Sequence, residues 1–106
     1  MLTEFVKAAK TGDFSEDGDM LAVEVGDVTV MIARLDGEFY AVDDACTHAG
    51  VSLVNGSLEG DEVECPAHSS MFNLKTGEVT GTPADEPLEV YGVRVEGDDI
   101  LVEPSA

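Results

Sequence analysis

An all-β fold is predicted for this 106-residue chain, and three observations predict it. No window of useful length carries a sustained 3.6-residue apolar period. β-rich runs come in pairs joined by short turn signals: MLAVEV and VTVMIAR around Gly26-Asp27, VTVMIAR and EFYAV around Asp36-Gly37, LEVYGVRV and ILVE around EGDD. Between the second and third pairs runs a tract crowded with turn residues, NGS, EGDE, KTGE and GTPADEP.

Taken in chain order, residues 2–9 are ambiguous and by composition fit a short helix. Residues 20–25 and 28–34 form the first hairpin, and 35–42 continue it into a second across Asp36-Gly37. Residues 43–83 read as a loop-rich insertion. The runs 88–95 and 100–103 read as a third hairpin. Met31 and Met71 read as packing residues. Tyr40 and Tyr91 read as strand residues with one wet end. Gly50 and Gly77 read as turn formers. Asp43 and Asp44 read as solvated or as caps of the loop that follows, and Glu64 as facing out of a short strand.

At 11.2 kDa and 43% apolar residues the chain suits one domain with one modest core. The opening MLTEFVKAAKTGDF has Glu4 and Lys7 among its apolar residues, which excludes a plain signal peptide, and no run approaches transmembrane length. A cytoplasmic, membrane-free protein is expected. Twenty-three acidic residues against five basic ones leave a net charge of −18. Such a surface repels nucleic acid and anionic membranes. It has two readings, which can hold together: a solvated face suited to high salt, and a field that steers the chain toward a basic protein partner.

The two cysteines and two histidines of the chain all fall in two short stretches, Cys46-x-His48 and Cys65-x-x-His68. Several chemistries use such a set. One disulfide would join the cysteines, but a cytoplasmic compartment opposes it. A Cys nucleophile with a His base would leave the second pair unused. Four tetrahedral ligands would suit structural zinc, although the common zinc order is Cys-Cys then His-His. Clustered carboxylates at Asp43, Asp44 and Glu64 would suit acid–base work, though a solvated role explains them as well.

CTHAG and CPAHSS at this spacing resemble the two cluster-binding boxes of the Rieske proteins. The likeness extends to their flanks: SLEGDEVECPAHSSMFNLKTGEV resembles the run through the second box of Rieske-type ferredoxins, and GTPADEPLEVYGVRVEGDDILVE the region after it. It is weakest over residues 1–20. The resemblance implies a Rieske fold, a single domain 1–106 in which a cluster-binding subdomain, about 43–83, is inserted into an antiparallel, sandwich-like β base of 1–42 and 84–106. It implies a [2Fe-2S] cluster, with Cys46 and Cys65 on the inner iron and His48 and His68 on the outer one. Two ferric ions, two sulfides and two thiolates sum to a formally neutral oxidised centre, whereas four thiolates would leave it doubly negative. A neutral centre takes an electron more readily, so potentials run from roughly −150 to +300 mV against about −400 mV for plant-type ferredoxins.

Residues around the boxes tune that value. The respiratory Rieske proteins carry an extra Cys in each box; this chain has none. Ser70 matches their Ser position, Phe72 stands where they have a Tyr hydroxyl, and Pro83 lies in the loop that covers the cluster in the family. A low potential for the family is expected. The resemblance further implies a monomeric one-electron carrier, not an enzyme. It would take electrons from an NAD(P)H-dependent flavin reductase and pass them to a terminal ring-hydroxylating oxygenase docked near His48 and His68. Other readings are the small subunit of an assimilatory nitrite reductase, the ferredoxin of a diiron monooxygenase, and a structural zinc module used for protein interaction.

Overall fold

The computed structural model describes residues 5–25, 28–45, 51–66, 70–81 and 86–103. Eleven strands are described: β1 (Val6–Lys10), β2 (Met20–Val25), β3 (Val28–Leu35), β4 (Glu38–Asp43), β5 (Ser57–Glu59), β6 (Glu62–Glu64), β7 (Met71–Asn73), β8 (Val79–Gly81), β9 (Val90–Tyr91), β10 (Val93–Glu96) and β11 (Asp99–Val102). They form three antiparallel sheets, ordered β1-β11-β10, β2-β3-β4-β9 and β5-β6-β7-β8. No α-helix occurs among the described residues, so the all-β expectation holds.

The central sheet explains why β3 is so apolar. Its residues alternate between two cores. Val30 and Ile32 pack with Ile100 and Val102 of the β1-β11-β10 sheet, while Met31 and Ala33 pack with Val63, Phe72 and Leu74 of the β5–β8 sheet. β4 divides likewise, Ala41 to one side and Val42 to the other. A strand buried on both faces loses the polar–apolar alternation of a half-solvated one. The β5–β8 sheet, drawn from the turn-rich tract, has no core of its own; it closes on the underside of β3 and β4.

Local chemistry sets two of the hairpins. Asp36 and Gly37 both have positive φ, 54° and 79°, between paired Leu35 and Glu38. That is the type I′ turn an Asp-Gly pair favours. The Gly97-Asp98 pair joins β10 to β11, with Glu96 opposite Asp99. Gly26 and Asp27 lie outside the described residues, but Val25 pairs with Val28 on either side of them.

Three expectations change. The one modest core is two, one on each face of the central sheet, because β3 is buried on both faces. The candidate helix over 2–9 is, from Val6 onward, edge strand β1: Ala and Lys favour helix locally, but β11 offers a hydrogen-bonding edge and Ala9 enters the core. The run 88–95 is not one strand. β9 pairs with β4, Gly92 breaks the run, and β10 pairs with β11. One apolar run thus serves two sheets.

Tyr91 is 8% exposed. Burial pushes its phenol above the usual value, with the Asp43 and Glu89 carboxylates adding to the effect. The folded state therefore disfavours the phenolate. This contribution is fully present below the unfolded tyrosine value of about 10 and is lost as pH rises through the higher folded value. Urea unfolding between neutral pH and pH 11 is expected to show an alkaline loss of stability that Tyr91→Phe reduces; an identical profile in the variant would refute it.

Candidate metal centre

The second Cys/His stretch, residues 65–70, joins the paired strands β6 and β7. Val63 pairs with Phe72 and Glu64 with Met71, and the Cys65 N–H donates to the Ser70 carbonyl at 2.7 Å. Strand alternation carries through the base of the turn. Val63, Cys65, Ser70, Phe72 and Leu74 are buried, while Glu62, Glu64, Met71 and Asn73 are half-buried on the other face. Cys65 is 1% exposed, in one cluster with Met31, Leu53 and Phe72, and forms no disulfide. Ser70 and Phe72, expected around the centre, are wholly buried, Ser70 at the end of the stretch and Phe72 two residues on in β7.

Cys46, His48, His68 and Pro83 lie outside the described residues. The neck of the first stretch is described. After β4 ends, Ala45 bridges to Ser52, and the Leu53 N–H donates to the Asp44 carbonyl at 2.6 Å. A 3₁₀ turn, Leu53–Asn55, follows. Asp44 is buried, not solvated: its carboxylate accepts from the Ser52 hydroxyl and from the Val54 N–H at 3.0 Å. Of the two roles read from sequence, it fills that of loop cap. Asp43, beside it, accepts from the Ala45 N–H. Glu64 accepts from Ser57 on the neighbouring strand, on the outward face as expected.

The two necks meet at Gly56. A Cβ there would overlap the carbonyl oxygen of Glu64, and would also stand 3.1 Å from its carbonyl carbon and 3.3 Å from the Leu53 oxygen. Sequence reasoning took Asn55-Gly56-Ser57 as a turn signal and missed this. Gly56 has φ −88°, open to any residue, so the glycine answers to space and not to backbone conformation. Only the strand pairing of Ser57 with Glu64, which brings the two segments together, exposes its role.

The donor set fits a mixed-ligand iron–sulfur cluster. Cys65 offers a soft sulfur donor that is 1% exposed. The pinned hairpin holds it at an interior position that water does not reach. Histidines two and three residues after the cysteines in the sequence are borderline nitrogen donors of a kind that iron accepts. Around them the charge is one-sided: residues 43–74 hold six carboxylates and no Lys or Arg. Glu59 even stands opposite Glu62, a like-charge pair that costs the sheet stability. Among the described residues no group of three or more His, Cys, Asp and Glu is placed to hold a metal ion, so no competing site is found there.

A family model of the Rieske [2Fe-2S] domain matches residues 4–92. The chain belongs to the Rieske [2Fe-2S] family. This Rieske protein is 44% identical over 100 residues to the biphenyl dioxygenase ferredoxin subunit of Pseudomonas sp. (strain KKS102), covering 93% of this chain and 91% of that one. It is similar to the ferredoxin of carbazole 1,9a-dioxygenase from Nocardioides aromaticivorans IC177, with a TM-score of 0.90, 33% identity, and coverage of 95% and 98%. A chain in the complex of reduced oxygenase and oxidized ferredoxin in carbazole 1,9a-dioxygenase matches with a TM-score of 0.88, 34% identity, and coverage of 95% and 94%. The cofactor of the Rieske chain is a [2Fe-2S] cluster, and the chain is an electron carrier of the ferredoxin kind, not an enzyme. The zinc-module and acid–base readings fall with that.

Proposed function

We propose that this protein is the ferredoxin of a ring-hydroxylating dioxygenase system. It takes single electrons from an NAD(P)H-dependent flavin reductase and delivers them to the terminal oxygenase. The observation that carries this reading is Cys65, a dry free thiol on a pinned hairpin, in a chain whose relative at 44% identity is a dioxygenase ferredoxin. Cys46 and Cys65 would hold the inner iron, and His48 and His68 the outer one. When bound, the cluster supplies reversible one-electron chemistry.

The chain's own residues do the rest. Met31, Leu53 and Phe72 keep water from the cysteine side. Phe72 brings no hydroxyl to the centre, and with six neighbouring carboxylates this favours a potential in the lower part of the Rieske range. Ser70 is buried at the end of the second stretch, and Pro83, outside the described residues, would complete the surround. The one-sided charge around the boxes selects a basic face on both partners, so that reductase and oxygenase would dock in turn near His48 and His68. One domain, with 43–83 inserted in the β base, suffices for this. A monomer fits as well, since Val6 and Val95 are the exposed large apolar side chains among the described residues, too few for an obligate interface. The site of action would be the cytoplasm; among the described residues no helix is long and apolar enough to cross a membrane.

EPR of the purified protein before and after dithionite tests the centre. A signal is expected only on reduction, with an average g below that of an all-cysteine [2Fe-2S] cluster. A colourless, silent protein would overturn the reading. Stopped-flow oxidation of the reduced protein by a biphenyl-type oxygenase tests the role; a reduced protein inert toward it, yet reactive with a nitrite reductase large subunit, would reassign the partner.

A further inference from the structure

We infer that Asp44 is a positioning residue for the cluster: its buried carboxylate clamps the base of the first ligand loop and sets where Cys46 and His48 stand relative to Cys65. The inference rests on the reading that those residues are ligands.

A carboxylate that is 5% exposed must be compensated, and this one is compensated entirely across the neck. One oxygen accepts from the Ser52 hydroxyl, the other from the Val54 N–H. The backbone of Asp44 adds two further ties, its N–H to the Thr29 carbonyl of β3 at 3.0 Å and its carbonyl to the Leu53 N–H. One residue thus fastens the start of the loop to its end and both to the central sheet. The clamp reaches the second loop as well. Residues 52–54, held by Asp44, lead directly to Gly56, which sits against the Glu64 carbonyl, one residue before Cys65. Displacement at Asp44 therefore passes to residues 52–54 and, through the close backbone approach of Gly56 to Glu64, to the end of β6 just before Cys65.

Three variants test this in the cluster-loaded protein: Asp44→Ala, Asp44→Asn and Ser52→Ala. Asp44→Ala orphans the Ser52 and Val54 donors. Asp44→Asn keeps an oxygen for Val54 and turns its amide toward Ser52, whose hydroxyl can accept. The readouts are the rate at which visible absorption bleaches in chelator and the line shape of the reduced EPR signal. Asp44→Ala is expected to bleach about tenfold faster or more, with shifted or broadened g values. Ser52→Ala should fall between it and the parent, and Asp44→Asn should lie close to the parent. If Asp44→Ala does not fold, the order of the other two carries the test: Ser52→Ala must bleach faster than Asp44→Asn. Parent-like bleaching and EPR in Asp44→Ala, or an Asp44→Asn protein worse than Ser52→Ala, would overturn the clamp. A parent protein without the reduced EPR signal would instead overturn the ligand reading beneath it.

Discussion

Gly56→Ala is expected to cost about 3 kcal/mol of stability, the upper part of the range for overpacking a tight site, and to lower the iron content of the purified protein. The reason lies in what the new methyl would meet. Its neighbours are the Glu64 carbonyl and the Leu53 oxygen, all backbone atoms, so no rotamer change relieves the overlap. Either the Leu53–Gly56 segment retreats or the end of β6 does. The first movement pulls on Ser52 and Val54, the donors that Asp44 holds. The second displaces Cys65, whose N–H closes the turn to Ser70. Both separate the Asp44–Gly56 segment from the end of β6. Urea unfolding and iron per chain measure the effect; an alanine protein with the parent's midpoint and full iron would show that the necks do not couple.

His68→Cys is expected to lower the reduction potential by on the order of 100 mV or more in whatever protein retains the cluster. Exchanging two thiolates for two imidazoles separates the Rieske range of roughly −150 to +300 mV from the all-cysteine value near −400 mV. A single reversal should recover a substantial share of that difference, because a third thiolate gives the oxidised centre a net negative charge and makes a further electron harder to add. The uniformly acidic neighbourhood leaves no Lys or Arg between 43 and 74 to offset it. Spectroelectrochemical titration reads the shift directly. A retained cluster with an unchanged potential would mean that His68 is not an iron ligand or that ligand charge does not govern this centre.

Much of the architecture was legible because its causes are local. Asp36-Gly37 specifies a left-handed two-residue turn by its own backbone preferences, and the turn then fixes the register of β3 on β4. The burial of Cys65 follows from alternation, since it stands two residues after Val63 on the same face. The Cys/His spacing is likewise a property of two short stretches. Asp44 was legible only by halves. An aspartate near the start of a loop suggests a cap, but nothing in AVDDAC says which of the adjacent Asp43 and Asp44 turns inward, because one ends β4 half-buried and the other follows it buried.

The sequence by itself determined the all-β class, the hairpins built on two-residue turns, and the pairing of each cysteine with a nearby histidine. These depend on residues within a few positions of one another. Only the tertiary structure decided that residues 6–10 pair as an edge strand, that 88–95 divides between two sheets at Gly92, that Asp44 is the buried acid, and that Gly56 makes room for the Glu64 carbonyl. Each of these turns on a partner distant in the chain: β11 for β1, β4 for β9, Ser52 and Val54 for Asp44, Glu64 for Gly56. Strand edges, buried acceptors and steric clearance take their energies from what is brought against them, and that is set by packing and not by local preference.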